Sequence, residues 1–396
     1  MPRISSRQRI MLALGLLAVM AVAGQLVLNQ AATTISLGEG KARSIFTFGF
    51  DFFPFWYWDR FFTLGHGLAD WYGKAANAYP PPHEVLMAPF SYLPRDAAQA
   101  VSIVGSAVLM VFVVWLWARP GDRGGLNLTS GAWPTLLSAP VFAVVVIDQF
   151  QAAFGLAALS LALWAQRRNY WWLVGPAAAL GLIRTANALP ILVILLIGGW
   201  GKWRQLAIAV GSTALVFLPL VLISFAWDPQ WPTQYFKGIA LYPSSGAPKV
   251  ASGHLGYWGL ALLALGASLV AALLVWRDRG RPLDAGRSAL GMALTLPITP
   301  LSGLYSAIFV LPAILRLGLH PRFKLVPWIA AFGPWVVILA VSPVLLGSNP
   351  FIMLTDISLI DVVLLALAYP LLRLPRSTED RIERLTAYVD VETQAG

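Results

Sequence analysis

The sequence predicts an all-α polytopic membrane protein. Three observations carry that expectation. Hydrophobic residues make up 58% of the chain against 12% charged, and mean hydropathy is +0.69, a balance outside the range of soluble domains. Apolar stretches long enough to cross or enter a bilayer recur from residue 10 to residue 372, parted by short polar links. Lys and Arg crowd alternate links instead of scattering evenly.

The elements follow in order. Residues 1–9 carry Arg3, Arg7 and Arg9, and residues 10–28 are apolar and long enough to span. The stretch resembles a signal peptide, but Gln25 and Asn29 follow without a small-residue cleavage site. It is expected to stay as a first span with the N-terminus inside. Residues 29–96 form a first outer loop, in which residues 48–93 are dense in aromatic rings. Such rings suit a membrane–water interface, where one edge stays wet. The loop holds Asp51 among aromatics, then Asp59 and Arg60, then Tyr79 before three prolines, then His83 and Glu84. A short apolar segment closes it at Pro94.

Residues 97–117 are a clear span, followed by Arg119 and Arg123. An apolar stretch over 132–147 stops at Asp148, Gln149 and Gln151, and another over 152–165 stops at Arg167 and Arg168. Residues 171–200 form one apolar block interrupted by Arg184, Asn187 and Pro190. At about thirty residues it is too long for one straight crossing and reads as two short spans meeting at Arg184. Lys202 and Arg204 follow, then a span over 206–225. Residues 226–257 are a second large outer loop, polar and proline-rich, with Lys237 and His254. A span over 258–276 leads to Arg277, Arg279, Arg281 and Arg287. The block 288–317 is broken at Pro297 and Pro300, with Tyr305 just beyond, and 326–346 and 357–372 complete the membrane part. A transmembrane domain is thus expected over 1–375 and a cytoplasmic tail over 376–396.

The charges orient this chain. With the N-terminus inside and each broken block counted as two spans, eight cations fall outside: Lys41, Arg43, Arg60, Lys74, Arg95, Arg184, Lys237 and Lys249. The remaining 20 of the 28 Lys and Arg fall inside. That bias expects both termini in the cytoplasm. It also accounts for the net charge of +10 without nucleic acid, for which no groove-reading element is visible. The same topology gathers Asp51, Asp59, Arg60, His83, Glu84, Asp148, Gln149, Gln151, Arg184, Lys237, His254 and Tyr305 on the outer side. Short spans that stop at polar residues are expected to line a cavity open to that face, and convergent polar groups there mark a site.

The residue types narrow the chemistry. There is no cysteine, so disulfide, zinc–thiolate and cysteine-nucleophile chemistry is excluded. The four histidines are far apart, and no HExxH, Walker A or GxSxG pattern occurs, so neither a metal nor a cofactor is expected. What remains is acid–base chemistry on an anionic lipid. A carboxylate beside aromatic rings can serve as general base towards a hydroxyl, and Arg or Lys can hold a phosphate leaving group.

The residues also carry a family resemblance. Asp51-Phe52-Phe53-Pro54-Phe55-Trp56, then Tyr79-Pro80-Pro81, then Ala88-Pro89 and Leu93-Pro94 resemble the first-loop signature of glycosyltransferase family 87. Gln149-Phe150-Gln151 is similar to that family's Gly-Gln-x-Asn, with Asp148 in place of Gly and Gln151 in place of Asn. Thr299-Pro300-Leu301-Ser302 resembles its Ser-Pro-x-Ser, and Arg184 stands where a basic residue often precedes a proline. Tyr305 or Ser306 stands where members often have His.

The resemblance implies a GT-C type bundle of about 10–12 transmembrane helices with outer-face loops and short interfacial helices. It implies a mannosyltransferase of the cell envelope that takes sugar from a polyprenyl phosphate donor. Transfer goes to a lipid or glycan acceptor on the outer face, with inversion. Asp51 would then be the base and Arg184 the main contact to the donor phosphate. Lys237, His254, Arg60, Gln149, Gln151, Tyr79, His83 and Tyr305 would assist binding. Two other readings compete: a lipid-linked-sugar transporter or flippase, in which internal repeats are expected, and an inactive scaffold of a cell-envelope pathway.

Overall fold

The computed structural model describes residues 81–118, 133–146, 149–182, 185–233, 235, 256–295, 304–319 and 323–333. Among these, every regular element is a helix. Helix α1 spans Pro81–Ser91. Its start is set by the proline run, because a proline in the first turn gives up an N–H that has no helical partner anyway. It ends in two turns, Tyr92 N to Pro89 O at 3.4 Å and Leu93 N to Phe90 O at 3.2 Å. Pro94 holds its preceding residue out of helical geometry and passes the chain to α2, Arg95–Trp117. Twenty-three residues make a rod of roughly 35 Å, enough for the hydrocarbon core.

The apolar stretch over 132–147, expected as one piece, is divided. A 3₁₀ turn covers Trp133–Leu137 and helix α3 covers Ala139–Val146. Pro134 and Pro140 supply the reason, since neither can donate to a continuous ladder. Helix α4, Phe150–Arg167, is buried nearly all round, the mark of a central element. It turns into α5 through Asn169, whose φ of 59° reverses the chain.

The apolar block 171–200 divides as the sequence suggests, into α5, Trp171–Gly181, and α6, Thr185–Gly198. Helix α7, Trp203–Trp227, is long, and only Ala209 and Ser224 are buried along it. It meets α5 at small residues. A Cβ on Gly175 would overlap Ser212 Oγ and the Ala209 carbonyl, and Thr213 Oγ1 donates to Gly175 O at 3.2 Å and to Ala209 O at 2.8 Å. Apolar side chains gain nothing by leaving lipid for each other, so close backbone approach at small residues is what joins such helices.

Helix α8, Gly256–Val275, packs on α6. Helix α9, Ala285–Ala293, is capped by Asp284, which accepts from Arg287 N at 3.0 Å. The broken block ends in a 3₁₀ segment, Leu304–Val310, and helix α10, Leu311–Gly318.

Among the described residues, Ala97–Trp117 and Trp203–Trp227 are long and apolar enough to cross a membrane, with shorter apolar helices at Ala188–Gly198, Ala264–Val275 and Ala307–Gly318. Prolines and turn residues shorten the others.

One end of the bundle is built by bonds between turns. Gln166 Nε2 donates to Arg281 O at 3.5 Å, and Leu283 N donates to Gln166 Oε1 at 3.2 Å. Gly280 N donates to Ile197 O at 3.2 Å. The φ of Gly280 is 69° and a Cβ there would lie 2.8 Å from Trp200 O, so glycine is the residue that fits. The end of α4, the end of α6, the start of α7, the end of α8 and the start of α9 therefore share one face of the bundle. Their turns carry Arg167, Arg168, Lys202, Arg204, Arg277, Arg279, Arg281 and Arg287, the set that the charge pattern assigns to a single side.

Candidate functional site

The other end of the bundle holds the described part of the expected site. Asp51, Asp59, Arg60, Tyr79, Asp148, Arg184, Lys237 and His254 lie outside the described residues. Tyr305 falls in the 3₁₀ segment Leu304–Val310. His83, Gln149 and Gln151 are described, and with them Glu84.

The prolines that start α1 place His83 and Glu84 in its first turns. Both are enclosed, His83 at 0% and Glu84 at 1% exposure. His83 Nδ1 lies 3.4 Å from Glu84 Oε1. Packing of α1 against α7 and α2 helps to enclose this pair. Burying an acid in an apolar bundle is costly unless a partner compensates, and the adjacent imidazole is one such partner.

The far end of α1 is tied to the start of α4. Phe90 meets Phe150 edge-on with centroids 5.3 Å apart. Gly105 of α2 leaves room for the same ring, since a Cβ there would sit 2.9 Å from Phe150 Cε2. Phe150 is thus an anchor, and the glutamines on either side of it are positioned by its packing. Gln149 precedes α4 and its carbonyl accepts from Ala152 N at 2.9 Å. Both glutamine side chains are 3% exposed. Gln151 Oε1 is buried with no hydrogen-bond partner among the described residues. An acceptor held that way costs about 1–3 kcal/mol and can be satisfied by a hydroxyl or amide of a ligand.

Sequence reasoning placed His83, Gln149 and Gln151 on a wet outer face. In the structure the three are buried, His83 in the first turn of α1 and the two glutamines at the start of α4. Glu84 stood in the sequence as one more outer polar residue. Its pairing with His83 was unreadable there, since the pairing depends on the burial of α1. Among the described residues no group of three or more His, Asp or Glu is close enough to hold a metal ion.

The sequence profile of Glycosyltransferase family 87 matches residues 77–300, more than half of the 396 residues. The match takes in Tyr79, His83, Gln149, Gln151, Arg184, Lys237 and His254, while Asp51, Arg60 and Tyr305 lie beyond its ends. No curated protein matches the chain. Among solved structures it aligns with ArnT from Cupriavidus metallidurans, a crystal structure bound to undecaprenyl phosphate, at 17% identity and a TM-score of 0.43. The alignment covers 79% of this chain and 65% of ArnT, so the chain spans less than two thirds of that protein.

Proposed function

Because the chain belongs to glycosyltransferase family 87, we propose that it is a membrane glycosyltransferase drawing on a polyprenyl-phosphate sugar. The sugar is mannose and the acceptor is a lipid or glycan at the outer face. The match over residues 77–300 is the observation that carries this reading. The all-helical bundle of the described residues and the enclosed polar groups at one end of it support the reading.

The proposed step is a single displacement at the anomeric carbon. Asp51 takes the proton of an acceptor hydroxyl as that oxygen bonds to the anomeric carbon. The bond from that carbon to the phosphate oxygen breaks, and polyprenyl phosphate leaves with the electron pair. Attack from the opposite face inverts the configuration. Arg184 offsets the charge of the leaving phosphate, helped by Lys237, His254 and Arg60. Gln149 and Gln151 hold sugar hydroxyls, with Tyr79, His83 and Tyr305 at the edge of the donor site. The domain over 1–375 carries the reaction and the segment 376–396 lies in the cytoplasm.

The test uses the full chain in liposomes with radiolabelled mannose on polyprenyl phosphate and a membrane lipid extract as acceptor. A labelled glycolipid is the expected product. Movement of the donor across the bilayer with no new glycosidic bond would make the protein a transporter.

A further inference from the structure

The face of α7 left bare by the core borders a cavity of about 440 Å³ between α5, α6 and α7. On α7 its lining includes Leu206, Val210, Ala214, Phe217 and Val221, spaced four, four, three and four residues apart and hence on one stripe of the helix. Among the described lining residues the polar groups are the Thr213 hydroxyl, already engaged with Gly175 O and Ala209 O, and the indole N–H of Trp171 at one end. The interior therefore suits a hydrocarbon chain. From Leu206 to Val221 the stripe is roughly 22 Å long at ~1.5 Å per residue, more than the depth of one leaflet at ~15 Å.

The stripe does not begin with an apolar residue. One turn before Leu206 stands Lys202, whose carbonyl accepts from Leu206 N at 3.0 Å. Half-buried, its ammonium is pushed below the ordinary lysine value by desolvation. Beside it lies a row of exposed tryptophans. Trp203 is 6.5 Å from Trp200, and Trp200 is 5.8 Å from Trp276. Arg279 sits over Trp276 at 5.2 Å. The two turns that meet here carry Lys202, Arg204, Arg277, Arg279 and Arg281 against two acids, Asp278 and Asp284, the second of which caps α9. A Cβ on Gly199 would meet Leu206 and Trp171 of the lining, so one end of the apolar cavity lies next to this cationic, aromatic turn, at the end of the bundle that the charge pattern assigns to the cytoplasm.

We infer that this cavity holds an anionic phospholipid of the inner leaflet, its acyl chain along α7 and its headgroup phosphate against Lys202 and Arg279. Each cation near an anionic headgroup favours binding about fivefold, and a zwitterionic lipid gains little from either. The proposed donor places its phosphate at Arg184, which the charge pattern assigns to the side opposite the basic turns, so donor binding would leave those turns unused. The inference needs a membrane but no sugar transfer, so it stands or falls apart from the proposed enzymatic activity.

The experiment uses the full chain in nanodiscs containing phosphatidylglycerol or phosphatidylcholine with a photoactivatable acyl chain. Phosphatidylglycerol is expected to crosslink to residues 206–221 at least tenfold more than phosphatidylcholine. Lys202→Gln with Arg279→Gln should cut that capture about tenfold or more and leave phosphatidylcholine capture unchanged. Ala214→Trp, which fills the cavity, should abolish the crosslinks from both lipids while thermal unfolding stays cooperative. Equal capture of the two lipids by the unaltered chain, or capture indifferent to the paired substitution, would make this ordinary boundary lipid and overturn the inference. Displacement of phosphatidylglycerol by an equal concentration of polyprenyl phosphate would assign the cavity to the donor and overturn it equally.

Discussion

The backbone N–H of Leu283 donates to the side-chain carbonyl of Gln166 at 3.2 Å, joining residues 117 positions apart in the chain. The same side chain donates to Arg281 O at 3.5 Å, and Gln166 is fully buried. One amide thus satisfies a donor and an acceptor in a turn between helices that has no helical partners for them. Gln166→Leu keeps the volume and leaves both groups unpaired, so it should cost about 2–4 kcal/mol. Thermal unfolding in detergent is the measurement, with Gln166→Glu retaining part of the loss because it can still accept from Leu283 N.

Gln151 gives the opposite expectation. Its buried amide oxygen has no hydrogen-bond partner among the described residues, so Gln151→Leu should fold as well as the parent or better. If Gln151 holds a sugar hydroxyl, the same change should raise the donor KM about tenfold, since the site's binding contact worth ~1.5 kcal/mol is lost. Unchanged kinetics would remove Gln151 from the site.

The orientation is testable because the chain has no cysteine. Ala240→Cys, in the second outer loop, should react with an impermeant thiol reagent from the outer side of intact cells. A cysteine at Arg279, in the basic turn, should react after the inner side is opened. Reversal of this pattern would contradict the charge-based topology.

Arg184→Ala should raise the apparent donor constant by about one to two orders of magnitude, since a charge-assisted contact of ~1.5–3 kcal/mol is removed. A donor constant that stays level would shift the phosphate to Arg60 or Lys237.

Asp51→Asn should lower kcat about 10²–10⁴-fold, the usual weight of a positioned base, with donor binding and unfolding temperature retained. Asn keeps the size and hydrogen bonding of Asp but cannot take the proton. Asp59→Asn should cost much less, because Asp59 adjoins Arg60 and is expected to pair at the surface. Near-normal transfer by Asp51→Asn in purified protein would require a different base.

What the sequence determined by itself follows from local rules. Apolar length and proline placement set α1, α2 and the division of 171–200 into α5 and α6, because backbone donors in lipid must be satisfied within the segment. The spacing of cations marked the set from Arg167 to Arg287 that shares one end of the bundle. The first-loop pattern and the glutamines at 149 and 151 pointed to glycosyltransferase family 87. Other features depend on neighbours distant in the chain. His83 and Glu84 become an enclosed pair because α1 lies against α7. Phe150 orients its flanking glutamines because Gly105 and Phe90 leave one place for its ring. An apolar cavity runs beside α7 where Gly175 lets α5 and α7 approach closely. A hydropathy pattern records how much surface a residue prefers to hide. It does not record which surface hides it, and burial, pairing and cavities arise from that second choice.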